Sequence, residues 1–184
     1  MFNYREAKSS DAKGIAELLV DTWRSTYSAI LSKKVLQKRN YKIVEERWKP
    51  RINNLSKKDL MDIAEKEDEI VGIVWVRTEK SNPVNDLVNA EKFNGELMAI
   101  YVLKNYQRMG VGTKLVRFGV EFLLKNKIHS MIVWVFKDNS AKQFYINLGA
   151  TYIGDSYKDL DGEKYLESAY GWENIEIIFN KTEF

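Results

Sequence analysis

Glu96-Leu97-Met98-Ala99-Ile100-Tyr101-Val102 leads through Leu103-Lys104-Asn105-Tyr106 into Gln107-Arg108-Met109-Gly110-Val111-Gly112-Thr113-Lys114. An apolar run, a glycine-bearing turn and an amphipathic stretch read as strand, loop and helix. That order aims unpaired backbone N–H groups at one point, where the helix dipole also favours negative charge. Glycines let an anion approach the backbone with no Cβ in the way. The chemistry is phosphate binding, and the spacing narrows its kind. A nucleoside-triphosphate loop needs Gly-Lys-Ser/Thr at its close, whereas Gly112 is followed by Thr113-Lys114-Leu115. A dinucleotide fingerprint needs a third small residue three positions after the second glycine. Leu115 stands there, and no strand–helix–strand unit opens the chain.

A second segment capable of chemistry is Asp138-Asn139-Ser140-Ala141-Lys142-Gln143-Phe144-Tyr145-Ile146-Asn147-Leu148-Gly149-Ala150. It reads as an Asn followed by a short helix that carries a phenol and closes at a glycine. The pattern Gln/Arg-x-x-Gly-x-Gly after a strand resembles the pyrophosphate loop of the GNAT family of N-acetyltransferases, and the second segment resembles that family's other signature. On the loop alone an ordinary glycine turn stays open as an alternative; two separated motifs in the right elements weigh against it. One spacing departs from the pattern. Many members place the Asn seven residues before the Tyr, and Asn139 lies six before Tyr145. Either the turn is a residue shorter or Asp138 fills the usual slot.

The resemblance implies acetyl-CoA as cosubstrate, no metal, and direct transfer to a primary amine in a ternary complex. Backbone groups of Gln107, Arg108, Met109, Gly110, Val111, Gly112 and Thr113 are expected to hold the pyrophosphate, with Lys104, Arg108 and Lys114 adding charge or simply standing in solvent. Ile100, Tyr101 and Val102 match the strand that pairs with the pantetheine arm, where a backbone N–H can stabilise a developing oxyanion. Asn139 and Tyr145 complete the implied cofactor contacts.

An alkylamine of pKa ~10.4 is neutral in only about one molecule in a few thousand at pH 7, so a base helps. Glu96 lies eleven residues before Gln107, the offset of the base in the histone-acetylating branch; a carboxylate that merely ends a strand is the alternative. Tyr145 matches the acid that protonates the leaving thiolate, against a plain core aromatic. Trp23 and Tyr27, with Arg24 between them, match the region lining the acceptor pocket, although both also lie on an apolar helix stripe. A small-molecule amine is the expected acceptor. A non-catalytic acetyl-CoA sensor and a protein Lys or N-terminal acetyltransferase are the other readings. A homodimer follows by analogy.

Composition sets the frame around these residues. The 184 residues suit one α/β domain spanning 1–184, with a mixed central sheet of about 6–7 strands and helices on both faces. The chain has no cysteine and one histidine, His129. That removes disulfides, thiolate nucleophiles, cysteine zinc sites and His-dependent triads together. His129 follows a basic helix end and fits as a dipole complement there. A net charge of +3 is too small to argue for DNA and suits a partner carrying a few phosphates, so no nucleic acid partner is expected. The charged N-terminus is not a signal peptide and no apolar run suits a membrane, so the cytoplasm is the expected compartment.

The elements that must position the site follow from periodicity. Residues 2–7 read as a strand, Ser10-Asp11 as an N-cap, and Ile15, Leu18, Leu19, Trp23 and Tyr27 as one helix face. A second helix is predicted over 33–50, ended by Pro50. Strands are predicted at Leu60–Ala64 and Ile70–Val76, with the charged turn 65–69 between them. Residues 79–95 read as a polar loop, Leu97–Leu103 as a strand, and a helix starts near Gly112. Ser130–Phe136, Thr151–Tyr157 and Ile175–Phe179 complete the strands. Ala141–Leu148 is a short helix, and Asp159–Gly162 lies in a polar connection.

Overall fold

The computed structural model describes residues 1–79 and 90–181. Its elements run β1 (Asn3–Glu6), α1 (Ala12–Tyr27), α2 (Lys33–Gln37), α3 (Tyr41–Asn53), β2 (Asp59–Lys66), β3 (Glu69–Arg77), β4 (Gly95–Val102), α4 (Val111–Lys125), β5 (Met131–Phe136), α5 (Lys142–Asn147), β6 (Thr151–Leu160), β7 (Glu163–Trp172) and α6 (Ile177–Asn180). The strands form one seven-stranded sheet in the order β1-β2-β3-β4-β5-β7-β6. It is mixed, with β4 and β5 parallel and the β1–β2, β5–β7 and β6–β7 pairs antiparallel. The predicted mixed α/β architecture is therefore the observed one. Among the described residues, no helix is long and apolar enough to cross a membrane. Most of the predicted loop 79–95 lies outside the described residues.

The chain divides into two compact units. The first comprises Met1–Trp75 with Ala99–Phe118. Its core joins Ile15, Leu18 and Leu19 of α1 to Val44 and Ile52 of α3, Met61 and Ile63 of β2, and Ile73 of β3. Burying each such side chain contributes ~1.5–3 kcal/mol, which offsets the entropy of ordering helices too short to persist alone. Arg5 of β1 clasps the start of α1: its Nη1 and Nη2 donate to the Asp11 carboxylate at 2.7 and 2.9 Å, and its Nε donates to Glu65 of β2 at 3.0 Å. Asp11 thus stands at the predicted cap, but its carboxylate serves Arg5 and the Lys8 N–H, making no side-chain cap bond to α1. The guanidinium holds the Asp11 carboxyl below its ordinary range.

The region predicted as one helix over 33–50 is two. Ser32 caps α2 through Val35 N at 3.2 Å, and Asn40 caps α3 through Ile43 N at 3.0 Å. Two N-caps eight residues apart start two helices, a competition that the apolar spacing alone conceals. Pro50 does not end α3; it lies inside the helix, which runs on to Asn53. The last turn is held by side chains. Ile52 is in the core, and the Arg51 guanidinium sits 5.1 Å from each of the Trp48 and Trp75 rings.

The β2–β3 hairpin closes through Glu67 and Asp68, both at positive φ (52° and 65°), as a two-residue type I′ turn demands. Charged residues replace the usual Asn-Gly pair, so the predicted turn is right in place and strained in composition.

The second unit comprises the described residues of Val76–Met98 and Gly119–Phe184. Phe93, Ile132 and Ala169 form a core cluster with Trp134 and Ile153 packed on it. Trp172 is 1% exposed, and its Nε1 donates to the Leu148 carbonyl at 2.9 Å. That bond ties the end of α5 to β7. Gly149 follows α5 at φ 90°, as expected of the predicted closing glycine. The last predicted strand is a correction. Ile175–Phe179 is not a strand: Ile177–Asn180 is a helical turn. The final strand is β7, pairing with β6 from Leu160↔Glu163 to Thr151↔Gly171. Its polar first half (Glu163, Lys164, Glu167) masked its period, while the full ladder to β5 and β6 overrides local preference.

One strand pair carries a titratable strain. Glu6 of β1 stands directly opposite Asp62 of β2, and like charges there destabilise. Burial, then the Glu6 charge, pushes the Asp62 carboxyl up from 3.8 to about 6. The folded chain therefore keeps a proton that the unfolded chain releases, so stability falls as pH rises from about 4 to 6. Asp62→Asn should be more stable than wild type at pH 7 by ~1 kcal/mol, after discounting for partial exposure. Urea melts should show that gain disappearing below pH ~4.

Candidate active site

The glycine loop lies in the first unit. Leu103 N donates to Val71 O at 3.0 Å, fixing the strand end. A short 3-10 turn at Lys104–Tyr106 follows. The chain then reverses through Arg108 at φ 59° and Gly110 at φ 81°. The bond from Lys114 N to Gly110 O, at 2.9 Å, opens the α4 ladder. The N–H groups of Val111, Gly112 and Thr113 therefore precede the first intrahelical bond and face the front of a 15-residue helix. Those donors and the helix dipole favour an anion. A Cβ at Gly110 would meet nothing within 4 Å, so the space before the loop is open. Behind it, Val111 and Leu115 are 1% and 0% exposed. Both lie within 3.2 Å of the Cβ that Gly72 of β3 lacks, so α4 sits close on that strand.

The side chains of the loop divide. Arg108, Met109, Lys104 and Lys114 are exposed. Gln107, expected to meet the pyrophosphate through its backbone, turns its side-chain Nε2 back to the Val102 carbonyl at 3.0 Å, so that residue braces the loop against β4. The donor set fits a diphosphate: three helix-front amides, two residues at positive φ, and nearby cations.

The same unit gathers the residues expected to meet an acceptor. Trp23 Nε1 donates to Tyr101 Oη at 3.2 Å, and the Trp23 and Tyr27 rings meet edge-on at 5.0 Å. Tyr27 is 8% exposed, so it is chiefly core, while Trp23 and Tyr101 are half-buried. Ile100 and Val102 flank Tyr101 on β4, also half-buried. Arg39 was missed by sequence reading. Its guanidinium lies 4.7 Å from the Trp23 ring, and Nη1 donates to Val35 O at 2.7 Å. Recognising Asn40 as a cap would have placed Arg39 in the turn before α3, free to reach back to α1.

The second unit holds the remaining expected residues. Glu96 is 6% exposed and pairs with Ile132 in the parallel β4–β5 register. Asn139 is 4% exposed; its Oδ1 accepts from Ala141 N at 2.9 Å, shaping the turn into α5. Tyr145 is 7% exposed, its ring edge-on to Phe144 at 5.5 Å and to Trp172 at 6.2 Å. Strand alternation sorts these residues. Trp172, against Tyr145, points to one face of β7. Gly171, Ala169 and Glu167 point to the other, with Ile132, Trp134 and Phe136 beside them; Glu96 shares that face through Ile132. Glu96 thus shares the face of Ile132 and Gly171, while Tyr145 rests against Trp172, which points to the other.

A mixed sheet with a parallel central pair, a glycine-turned helix front and a buried phenol on a short helix is the arrangement of a coenzyme-A-dependent acyltransferase. The chain belongs to the acetyltransferase (GNAT) family, whose model matches residues 13–150. Over 178 residues it is 33% identical to the "Uncharacterized N-acetyltransferase YuaI" of Bacillus subtilis (strain 168), covering 97% of this chain and 96% of that protein. Among solved structures, it resembles the PaiA N-acetyltransferase of Thermoplasma acidophilum in complex with coenzyme A. There the TM-score is 0.65 and the identity 19%, over 91% of this chain and 98% of that one. It also resembles the putative acetyltransferase yncA of Salmonella typhimurium with acetyl-CoA, at TM-score 0.64 and 15% identity, over 95% and 94% of the two chains. These two likenesses concern the fold. At the level of the family, the protein is an N-acetyltransferase that acts with acetyl-CoA.

The loop geometry generates a direct test. Gly110→Ala must hold a Cβ at φ 81°, costing ~1 kcal/mol of stability. It also places a methyl group where a phosphate would approach. Calorimetry should show coenzyme A binding weakened about tenfold or more, with only a small fall in melting temperature.

Proposed function

We propose that the protein transfers acetyl from acetyl-CoA to the primary amine of a small molecule, by direct attack within a ternary complex. The observation that carries this reading is the turn at Arg108 and Gly110, which sets the Val111, Gly112 and Thr113 amides at the front of α4. Bound there, acetyl-CoA supplies an acetyl group activated as a thioester. The chain's own residues do the rest. The loop amides hold the diphosphate, and the backbone of Ile100–Val102 lies along the arm that leads to the thioester. Trp23 lines the acceptor side, with the buried Tyr27 ring packed behind it. Glu96 takes a proton from the acceptor nitrogen, and the Tyr145 hydroxyl gives one to the departing sulfur. The whole chain holds no cysteine to carry an acyl group covalently, which supports direct transfer.

Tyr145→Phe keeps the ring contacts to Phe144 and Trp172 and removes the hydroxyl. Thiol release from acetyl-CoA should be followed over alkylamines, amino sugars, amino acids and short peptides. Wild type should turn over small amines in preference to peptides. Tyr145→Phe should lose ~100-fold in kcat while its affinity for coenzyme A stays the same. A wild-type protein that binds acetyl-CoA and acetylates nothing in that panel would defeat the reading, and a preference for peptides would replace the acceptor class.

A further inference from the structure

The proposed reaction must strip a proton from an ammonium ion that is ~99.9% charged at neutral pH. Glu96 is 6% exposed and sits on an inner strand, between β3 and β5. Strand β7 carries another carboxylate to the same side. The β5–β7 register pairs Ile132 with Gly171, Trp134 with Ala169 and Phe136 with Glu167. These alternate residues share one face, and the Glu96↔Ile132 pair puts Glu96 on it as well. The ground between the two carboxylates is apolar, made of Ile132, Ala169 and Trp134 with Phe93 against them. Tyr165, two residues from Glu167 on the same face, packs on Phe136 at 6.1 Å and gives its hydroxyl to Glu163 at 2.7 Å.

We propose that Glu167 is a second catalytic carboxylate of the acetyl transfer, accepting the proton that the acceptor ammonium gives up on the Glu96 face of the sheet. The inference rests on the amine-acetyltransferase reading above. The N–H bond of the ammonium breaks, its electron pair stays on nitrogen, and the proton moves to a Glu167 carboxylate oxygen. The neutral amine then forms the new amide bond as the carbon–sulfur bond breaks. The nitrogen gives its second proton to Glu96, and the sulfur receives one from the Tyr145 hydroxyl, which regains it from Glu96 through solvent. Glu167 finally returns its proton to water, so one ammonium and one thioester become one amide, one thiol and one released proton.

Electrostatics act in the same direction. Burial above all, and the charge of Glu96 on β4, raise the Glu167 carboxyl above its ordinary range, while Lys158 on β6 pulls it back. Lys158 stands opposite Tyr165, one step along the face from Ser156↔Glu167. A base that binds its proton more tightly matches an amine better at neutral pH. Asp62 shows that burial beside a like charge occurs in this chain with no chemistry attached. What distinguishes Glu167 is its place on the face of Glu96, above an apolar floor that a hydrophobic side chain would suit better.

The test uses the full chain with acetyl-CoA and a small amine, in thiol release from pH 6 to 10. Glu167→Gln should lower kcat/KM about 30- to 100-fold at pH 7. The deficit should close toward pH 10, where the amine sheds its own proton. Affinity for coenzyme A and melting temperature should not fall, and Glu167→Asp should recover part of the loss. In wild type the acidic limb of kcat/KM should sit above the usual carboxylate range. Wild-type kcat/KM in Glu167→Gln, or a deficit equal at every pH, overturns the proposal. So does equal damage in the Asp and Gln variants with a drop in melting temperature. A wild type that binds acetyl-CoA but acetylates no amine sinks the parent reading, which separates that failure from this one.

Discussion

Anions bind poorly to a folded chain unless several N–H donors converge without being consumed by secondary structure. The turn into α4 meets that constraint, and much of the first unit can be understood as support for it. Arg108 and Gly110 hold positive φ, reversing the chain so that three amides of α4 face outward ahead of the first helical bond. That posture would be useless on a mobile helix. Val111 and Leu115 are buried against the bare backbone of Gly72, and Gln107 ties the loop to the end of β4. A weak, exposed set of donors is thereby mounted on a rigid base, which is the condition for preorganised charge stabilisation.

The second unit keeps a buried phenol and a buried carboxylate apart. Strand alternation separates them here. Tyr145 rests against Trp172 on one side of β7, while Glu96 lies on the side shared by Ile132 and Glu167. The bond from Trp172 to the Leu148 carbonyl fixes α5 on its side, so the phenol's place is set by the same strand that keeps it from the acids.

Sequence reading recovered what local chemistry encodes. The strand, turn and helix around Gly110 were legible because few residues tolerate that backbone, and Gly149 was legible for the same reason. Tyr145 was legible as a member of a motif, and Trp23 through the apolar stripe of its helix. What escaped was decided by competition or by partners distant in sequence. Asn40 outcompetes the apolar period that seemed to run through residues 33–50. Asp11 gives its carboxylate to Arg5, a choice that depends on folding β1 beside α1. Strand β7 escapes because Glu163, Lys164 and Glu167 hide its alternation, and with it the face that Glu167 shares with Ile132. Arg39 was overlooked for a related reason, since only the break between α2 and α3 lets it reach Trp23.

Pro50 has one more effect on α3. Lacking an amide hydrogen, it cannot close the rung to Glu46, so the ladder is interrupted before the final turn. That turn is retained by Ile52 in the core and by Arg51 lodged between two indoles. Its persistence is thus a tertiary property: loosening Trp48 or Trp75 would let the helix shorten by one turn without melting what precedes it. The segment ahead of β2 is thus anchored by side-chain stacking as well as by the bond from Asn54 N to the Pro50 carbonyl at 3.0 Å.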